Sequence, residues 1–321
     1  MQFLQEFCDF LKSYLSDTEF YVEAMPGDAG SRIYWRIYTA KQNYILSYNP
    51  NNYLETQLFI ELTKYLRQYN FSVPYIYYQD LNKGLLLIED FGTHSLNRNL
   101  ISLNSKARIP FYQLAINLLI ELHQVPLPAF IANLSTELMI QELNVFKEYY
   151  IPYKFGRVLS DTDNSELNVI LHQLFTSQRI HQKVLSLQDY HVDNIMLLKE
   201  RDSTKSLGLL DYQDAKNSSP IYDLVSLLED ARIEVPRKQA IEYLNYYAKQ
   251  TSSNFNDVFA DYHILGLQRN CRILGVFVRK YKKGCNDYLK FLPLVEKYLS
   301  YNLLHPVAYN FKKWFVSLSN I

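Results

Sequence analysis

The sequence predicts an α+β fold in two parts, and two patterns lead to this prediction. Up to about residue 92, short runs of alternating apolar and polar residues are separated by Gly and Asn turns, which is typical of a small antiparallel sheet. From residue 111 onward, apolar residues recur mostly at helical spacing, with one further pair of strand-like runs near 195–210. We therefore expect a sheet-containing part at 1–92 and a larger helical part at 93–321.

The elements of the first part follow from these spacings. Gly and Asn between the apolar runs mark turns, because these residues adopt turn conformations readily. The predicted elements are, in order, a helix at 2–15, a β-hairpin at 33–48, an amphipathic helix at 53–70 and a second hairpin at 73–90.

The second part is predicted to be helical outside the strand-like pair. Asp223 lies near the start of one helix, where a carboxylate satisfies free backbone donors and complements the helix dipole. His123, near the end of another, is predicted to be structural. The predicted helices are 111–124, 137–151, 165–178 and 220–235, with further helix from 237 onward.

Composition excludes several function classes. The chain has 321 residues, of which 33 are basic and 33 acidic, so its net charge of zero gives no electrostatic case for binding nucleic acid. No apolar run approaches the roughly 18 residues that a membrane span needs, and the first residues lack the features of a signal peptide. Its three cysteines have neither metal-ligand nor disulfide spacing. We expect a cytoplasmic protein with no membrane, nucleic-acid or protein partner.

The residues that carry the candidate chemistry lie at 187–214. Asp189 is followed five residues later by Asn194, then by two apolar runs, and the second run ends directly before Asp211. This order of loop, strand, turn, strand and acid is the one that protein kinases use. Asp and Asn are also common turn residues, so the first spacing alone leaves an ordinary turn open. The strand that ends at Asp211 favours a catalytic site, because a strand end is a rigid place for a metal ligand.

Each of these residue types suits one task in phosphoryl transfer. A carboxylate such as Asp189 orients an acceptor hydroxyl and accepts its proton. The Asn194 oxygen and the Asp211 carboxylate are hard ligands of the kind that Mg²⁺ prefers. Few residues separate Asp211 from the next predicted helix, which leaves no room for an activation loop. We therefore expect a small-molecule acceptor rather than a protein.

Five segments of the chain resemble one family. They are LQDYHVDNIMLL at 187–198, GLLDYQDA at 208–215, PIYDLVSLLEDAR at 220–232, LQRNCRILGVFVRKY at 267–281 and YLKFLPLVEKYLSYNLLHP at 288–306. Together they are similar to aminoglycoside-phosphotransferase-like small-molecule kinases, and most closely to bacterial N-acetylmuramate/N-acetylglucosamine anomeric kinases. The resemblance implies a two-lobed protein-kinase-like fold, with a nucleotide-binding N-lobe at 1–92 and a helical C-lobe at 93–321. It also implies ATP and Mg²⁺ as cofactors and an amino sugar as acceptor in peptidoglycan recycling.

The resemblance further implies a nucleotide site in the N-lobe. Residues 27–36 occupy the place of a phosphate loop, although a glycine pair is also common in plain turns. EDFG at 89–92 precedes the catalytic loop, whereas a metal-binding Asp must follow it, so this segment suits a hinge whose backbone faces adenine. The implied nucleotide-binding residues are Gly27, Gly30, Ser31, Arg32, Arg36, Glu89 and Phe91.

One departure concerns the lysine that holds the nucleotide phosphates in protein kinases. Ser47 and Tyr48 stand where it is expected. Two explanations stay open: a non-catalytic nucleotide-binding protein, or a kinase in which Arg32, Arg36 or Lys41 supplies the positive charge. The sugar kinases that the chain resembles also lack this lysine, which favours the second explanation.

The candidate acceptor-binding residues come after the pair of strand-like runs near 195–210. Paired carboxylates suit an acceptor that is rich in hydrogen-bond donors, although the same side chains also suit helix caps or salt bridges. These residues are Asp214, Glu229, Asp230 and Arg269. The acceptor stays open between an amino sugar, which the resemblance implies, and another sugar, an aminoglycoside or a choline-like alcohol.

Overall fold

The computed structural model describes Phe7, residues 10–12, Tyr14, Leu15 and residues 19–25 and 32–319. Much of the helix expected at 2–15 lies outside these residues, although those of its residues that are described are helical. Within the described part of the chain, no helix combines the length and the apolar character needed to cross a bilayer.

The chain divides into two compact units. The first comprises Met1–Gln68 and Val73–Gly92, and the second comprises Tyr69–Ser72 and Thr93–Ile321. Assigning nucleotide binding to the first unit and catalysis to the second remains a prediction.

The first unit is built on an antiparallel sheet. Its elements are β1 (Tyr21–Ala24), β2 (Ile33–Tyr38), β3 (Asn43–Tyr48), α1 (Tyr53–Gln68), β4 (Ile76–Asp80) and β5 (Leu85–Glu89). The strands pair in the order β1-β2-β3-β5-β4. Strand β1 is not predicted from the sequence, because its four residues are mostly exposed and too few to show an alternating pattern.

The two faces of this sheet carry different side chains. One face packs against the N-terminal residues in an apolar cluster, whose buried members are Phe7, Leu11, Ile37, Leu46, Leu85 and Leu87. Successive side chains of a strand point to opposite faces. Because Trp35 and its partner Leu46 face this cluster, the next pair, Tyr34 and Ser47, lies on the other face together with Arg36.

The second unit is mainly helical. Its helices are α2 (Leu96–Leu100), α3 (Ile109–Leu122), α4 (Thr136–Glu142), α5 (Ile151–Phe155), α6 (Asp161–Thr176), α7 (Tyr222–Leu228), α8 (Arg237–Gln250), α9 (Phe255–Lys282), α10 (Leu292–Asn302) and α11 (Tyr309–Ser317). It also contains a π-helical turn at Phe146–Tyr150 and 3₁₀ turns at Ser203–Ser206, Asn286–Phe291 and Pro306–Ala308. Two helices differ from the sequence prediction. The predicted helix 137–151 is divided between α4 and the π-helical turn, and the predicted helix 220–235 ends at Leu228.

Four short strands frame the predicted catalytic segment. They are β6 (Val184–Ser186), β7 (Ile195–Leu197), β8 (Leu207–Leu209) and β9 (Lys216–Ser218). Strand β6 pairs with β9, and β7 pairs with β8. The loop at 187–194 therefore runs from the first ladder to the second, and the loop at 210–215 runs back. Both loops are fixed at both ends by paired strands.

Helix α9 forms the centre of the second unit. Every residue from 260 to 271 is buried, which is typical of a helix packed on all sides. Further along, a Cβ atom at Gly275 would lie 2.4 Å from the carbonyl carbon of Val145 and 2.5 Å from the backbone nitrogen of Phe146. Only glycine allows the two backbones to approach so closely.

Gly275→Ala is expected to destabilise the protein by roughly 1–3 kcal/mol, because the added methyl group meets rigid backbone. The direction of the change in stability distinguishes this position from an ordinary helical one, where Gly→Ala stabilises by about 0.5–1 kcal/mol. Urea unfolding measures the difference. Val169→Ala in α6, where the side chain is 57% exposed, is the control and should stay within about 0.5 kcal/mol of wild type. A Gly275→Ala protein as stable as wild type would contradict the close approach.

Candidate active site

The loop at 187–194 is held by an acid from α7. The Asp223 carboxylate accepts hydrogen bonds from the backbone N–H groups of Leu187 at 2.7 Å and Gln188 at 2.9 Å. Ser226, on the same helix, donates through Oγ to the Gln188 carbonyl at 2.9 Å. Burial raises the pKa of Asp223 to about 6, although the hydrogen bonds from the N–H groups of Leu187 and Gln188 oppose the shift. The prediction that Asp223 caps its own helix is wrong, because its oxygens serve the loop instead.

Hydrogen bonds inside the loop orient Asn194. Its Nδ2 donates to the Asp189 carbonyl at 3.1 Å and lies 3.3 Å from Nε2 of His191. His191 is buried, and this burial, together with the charge of Arg232, lowers the pKa of its imidazole. A neutral imidazole nitrogen accepts from an amide, so Nδ2 is fixed and the Oδ1 atom of Asn194 stays available as a ligand.

Asp211 lies beside Asn194 because of the register of β7 and β8. The N–H of Leu210 donates to the Asn194 carbonyl at 2.9 Å, and Asp211 is the next residue. Asp211 is exposed, and its carboxylate accepts from Nε2 of Gln213 at 2.8 Å. Its φ of 55° lies in the left-handed region, which Asp tolerates better than most residues. Residues with an amide oxygen and a carboxylate therefore stand at the same end of this ladder.

These two oxygen donors suit a hard divalent cation. Mg²⁺ is usually bound by one or two protein oxygens and completes its shell with water and phosphate oxygens. Among the residues that the structure describes, no three His, Cys, Asp or Glu side chains cluster as metal ligands. The donors of Asn194 and Asp211 thus fit an ion of which the protein supplies only part of the shell.

Asp189 is half-buried and stays ionised. Burial alone would raise the pKa of this carboxyl, but neighbouring groups outweigh burial and lower it. The positively charged groups among them are the guanidiniums of Arg272, Arg269 and Arg232. An ionised carboxylate at this place can accept a hydrogen bond from an acceptor hydroxyl.

Asp230 supports the second half of the loop. Its Oδ2 accepts from the backbone N–H of Val192 at 3.0 Å, and its Oδ1 accepts from Nη1 of Arg232 at 3.1 Å. Arg232 also pairs with Asp193, at 2.5 Å. Because Asp230 has no exposed surface, its placement favours support of the loop over the predicted contact with an acceptor.

Glu229 belongs to a buried polar network between α9 and α10. Its Oε2 accepts from Nδ2 of Asn270 at 2.5 Å and from Nδ2 of Asn302 at 3.0 Å. His263 extends the network by donating from Nδ1 to Oδ1 of Asn302 at 2.6 Å. Arg269 is also buried and donates to the Glu229 carbonyl at 3.4 Å. Helix α7 ends just before Glu229, so this side chain turns inward, and its placement favours a supporting role as well.

Asp214 is the predicted acceptor residue that remains exposed. It lies in the same loop as Asp211, and its backbone carbonyl accepts from Nζ of Lys216 at 3.2 Å.

Two further residues near the site are not predicted as functional from the sequence. His191 stands three residues before Asn194 in the motif, and Arg272 stands one helical turn after Arg269 on α9. Helical spacing is the signal that could have found Arg272.

In the first unit, Arg32 forms an ion pair with Glu55 of α1. Nη1 of Arg32 also donates to the Tyr34 hydroxyl at 3.0 Å. The Glu55 carboxylate is held in turn by Nδ2 of Asn49 at 3.1 Å and Nδ2 of Asn52 at 2.8 Å. Protein kinases pair a sheet lysine with a helix glutamate. Here the arginine directly before β2 pairs with a glutamate in the first turn of α1.

Arg36 forms hydrogen bonds with the segment that follows β5. Its Nε and Nη2 donate to the Asp90 carboxylate at 2.7 and 3.1 Å, and Nη2 also donates to the Gly92 carbonyl at 3.0 Å. The N–H of Gly92 donates to Oδ1 of Asp90 at 2.8 Å. Arg36 therefore fixes the segment that follows β5.

The other predicted nucleotide-binding residues lie at the end of β5 or just after it, or outside the described part of the chain. The N–H of Glu89 donates to the Tyr75 carbonyl at 2.8 Å, so it is used within the sheet region, and Phe91 is half-buried. The predicted phosphate-loop residues that lie outside the described part of the chain are Gly27, Gly30 and Ser31.

Comparison with known proteins identifies the family. The sequence profile of the phosphotransferase enzyme family (APH) matches residues 22–258, and the chain belongs to this family. The predicted family and the prediction of a phosphotransferase are confirmed.

Individual relatives agree with this assignment. The chain is 26% identical over 285 residues to an N-acetylmuramate/N-acetylglucosamine kinase of Pseudomonas putida, covering 86% of this chain and 82% of the relative. It is 27% identical over 331 residues to the protein of the same name from Caulobacter vibrioides, covering 91% and 90%. The ADP-bound structure of aminoglycoside phosphotransferase APH(2'')-Ib aligns with a TM-score of 0.63 at 15% identity, over 92% of this chain and 98% of that one. The predicted protein-kinase-like α+β fold is thereby confirmed.

Glu229→Gln is expected to change how stability depends on pH. Burial raises the pKa of Glu229 to about 7, from 4.5 in the unfolded chain. The folded protein therefore binds more protons between these values, and the contribution of Glu229 to the free energy of unfolding falls as pH rises through this window. Removing the carboxyl removes this decline, which is on the order of 2 kcal/mol between pH 5 and pH 8.

Urea unfolding at both pH values measures the effect of Glu229→Gln. The matched control is Glu166→Gln in α6, where the side chain is exposed. If Glu229→Gln kept the wild-type change in stability between the two pH values, the raised pKa would be contradicted.

Proposed function

We propose that this protein is an ATP-dependent kinase that phosphorylates the anomeric hydroxyl of N-acetylmuramate or N-acetylglucosamine, in peptidoglycan recycling. Relatives of which the chain covers more than four fifths carry both sugars in their names. The observation that carries the proposal is the catalytic loop. Its backbone is tied down by buried acids, while Asp189 and Asn194 stay partly exposed and Asp211 stays exposed beside them.

In the proposed reaction Asp189 acts on the acceptor. Its carboxylate accepts a hydrogen bond from the sugar hydroxyl, directs the oxygen toward the γ-phosphorus, and takes the proton as the new O–P bond forms. The bond between the γ-phosphorus and the β,γ-bridging oxygen breaks, and ADP leaves with that electron pair.

The other residues of the loop position these groups. Asn194, through Oδ1, and Asp211, through its carboxylate, would hold Mg²⁺, which when bound neutralises charge on the phosphates. His191 keeps the Asn194 amide in the required orientation, because it holds Nδ2. Asp223 and Asp230 keep the backbone of the loop in place.

Arg32 is proposed to supply the positive charge that the missing lysine would give. Ser47, at the lysine position, pairs across the strands with Tyr34, and Arg32 donates to the Tyr34 hydroxyl. Glu55 holds Arg32 as a helix glutamate holds the kinase lysine. The guanidinium of Arg36 is bound to the segment after β5. This placement of Arg32 supports a working kinase over a non-catalytic nucleotide-binding protein.

Turnover by the purified protein tests the proposed function. ATP consumption with Mg²⁺ is measured with N-acetylmuramate, N-acetylglucosamine, other hexoses, choline and kanamycin, and the product is identified by ³¹P NMR. An anomeric sugar phosphate is expected. Turnover of kanamycin or choline alone would replace the sugar as acceptor, and ATP binding without turnover of any acceptor would favour a non-catalytic protein.

Asp189→Asn is expected to lower kcat by about 10²–10⁴-fold, because the amide cannot take the hydroxyl proton. ADP affinity, measured by calorimetry, should change little, since Asp189 acts on the acceptor. Asp202→Asn serves as control, because Asp202 is exposed in the same hairpin and its side chain makes no cap hydrogen bond. Turnover at the wild-type rate in Asp189→Asn would assign the base elsewhere.

Arg32→Met is expected to weaken ADP and ATP binding by about tenfold or more, since a hydrogen bond to a charged group contributes about 1.5–3 kcal/mol. Calorimetric titration measures the dissociation constants. Lys41→Met, in the exposed turn between β2 and β3, is the matched control and should bind like wild type. Weaker binding in Lys41→Met but not in Arg32→Met would assign the missing charge to Lys41 instead.

A further inference from the structure

A polar cluster on α4, α7 and α9 lies close to the catalytic loop. We call it the Glu142 cluster, and it consists of Glu142, Tyr222, Gln268 and Arg272. Nε2 of Gln268 donates to Oε2 of Glu142 at 3.0 Å, and the Tyr222 hydroxyl donates to Oε1 of Gln268 at 3.1 Å. Arg272 lies one helical turn after Gln268. Because Tyr222 directly precedes Asp223, the cluster is anchored on the helix that holds the loop.

The donors of Arg272 are not used by this cluster. Its Nε is 3.8 Å from Oε2 of Glu142, which is beyond hydrogen-bond distance. Over residues 32–319 and the shorter described segments before them, the guanidinium donates no hydrogen bond. Its side chain is 30% exposed, so a ligand in solvent can reach it. A guanidinium has five N–H donors in a planar fork, which matches a carboxylate or a phosphate.

Three carboxylates, those of Glu142, Asp189 and Asp214, lie close enough to Arg272 to act on its charge. Burial acts to lower the pKa of its guanidinium, but nearby groups outweigh burial and raise it. These groups are Tyr222, Glu142, Asp189 and Asp214. Carboxylates at this place can accept hydrogen bonds from sugar hydroxyls, but they repel an acceptor that carries its own carboxylate. An acidic acceptor therefore needs a cation here.

Arg269 is the other arginine on this part of α9, and it is poorly placed for that task. Its side chain is buried, with 3% of the residue exposed, and it donates to the Glu229 carbonyl. Arg272 has both the exposure and the unused donors that a ligand requires.

We infer that Arg272 binds the carboxylate that distinguishes N-acetylmuramate from N-acetylglucosamine. The two sugars share a ring and an acetamido group, and N-acetylmuramate adds a lactyl ether that ends in a carboxylate. Guanidinium and carboxylate groups pair through two parallel hydrogen bonds, so this contact selects the acidic sugar. The inference rests on the proposed function and names the residue that chooses between its two acceptors.

Arg272→Gln tests the inference against three acceptors: N-acetylmuramate, its methyl ester and N-acetylglucosamine. We expect kcat/KM for N-acetylmuramate to fall about 10- to 100-fold further than the values for the two neutral sugars, which share any loss that follows from removing a positive charge near Asp189. Wild type should prefer the acid to the ester, and the variant should lose this preference. Arg272→Lys, which keeps the charge but not the fork, should recover part of the loss.

Controls separate recognition from folding. Arg279→Gln, seven residues further along α9, should match wild type with all three acceptors. Thermal unfolding and ADP affinity establish that Arg272→Gln is folded. Equal losses for all three acceptors would overturn the inference, because Arg272 would then act on the phosphate or the loop. An unchanged preference for the acid over its ester would overturn it too. Wild type without turnover of either sugar would instead overturn the proposed function and, with it, the inference.

Discussion

The two hydrogen bonds from the loop backbone to Asp223 are the constraint on which the candidate site depends. A buried carboxylate is costly unless hydrogen-bond donors surround it, and its donors here are the N–H groups of Leu187 and Gln188. These bonds fix the chain immediately before Asp189. Gln188 has a φ of 70°, in the left-handed region, a conformation that persists only where neighbouring contacts enforce it. The carboxylate that we propose as the base therefore depends on these backbone hydrogen bonds for its position.

Two consecutive acids extend this arrangement into the helical core. Asp230 binds the loop at Val192, whereas Glu229 faces the other way and binds Asn270 and Asn302. The short segment after α7 therefore connects the loop to α9 and α10. Removing one partner from such a buried network leaves an uncompensated polar or charged group, so breaking the connection costs stability. The acidic stretch that the sequence predicts as an acceptor site connects structural elements here, and its contact with an acceptor stays a prediction.

Local patterns explain which features could be predicted. The hairpins of the first unit and the strand pair that ends at Asp211 could be predicted from the sequence. Alternating apolar and polar residues and turn residues are patterns formed by neighbouring positions in the chain. The end of α7 could not be found this way, because the partners that draw Glu229 and Asp230 inward lie elsewhere in the chain. The pairing of Arg32 with Glu55 also needs the sheet in three dimensions. Arg272 stands at a visible helical spacing, but Glu142, which defines its surroundings, comes from a distant segment.

The Glu142 cluster and the bonds that hold the catalytic loop share helix α7 but use different side chains. Tyr222 serves the cluster, while Asp223 and Ser226 serve the loop. Substitutions at Glu142 or Arg272 therefore leave the hydrogen bonds of the loop intact. Natural selection can then act on substrate choice while the chemical step is conserved. A kinase divided in this way can change its acceptor by substitution in the Glu142 cluster while the hydrogen bonds that hold the loop stay in place.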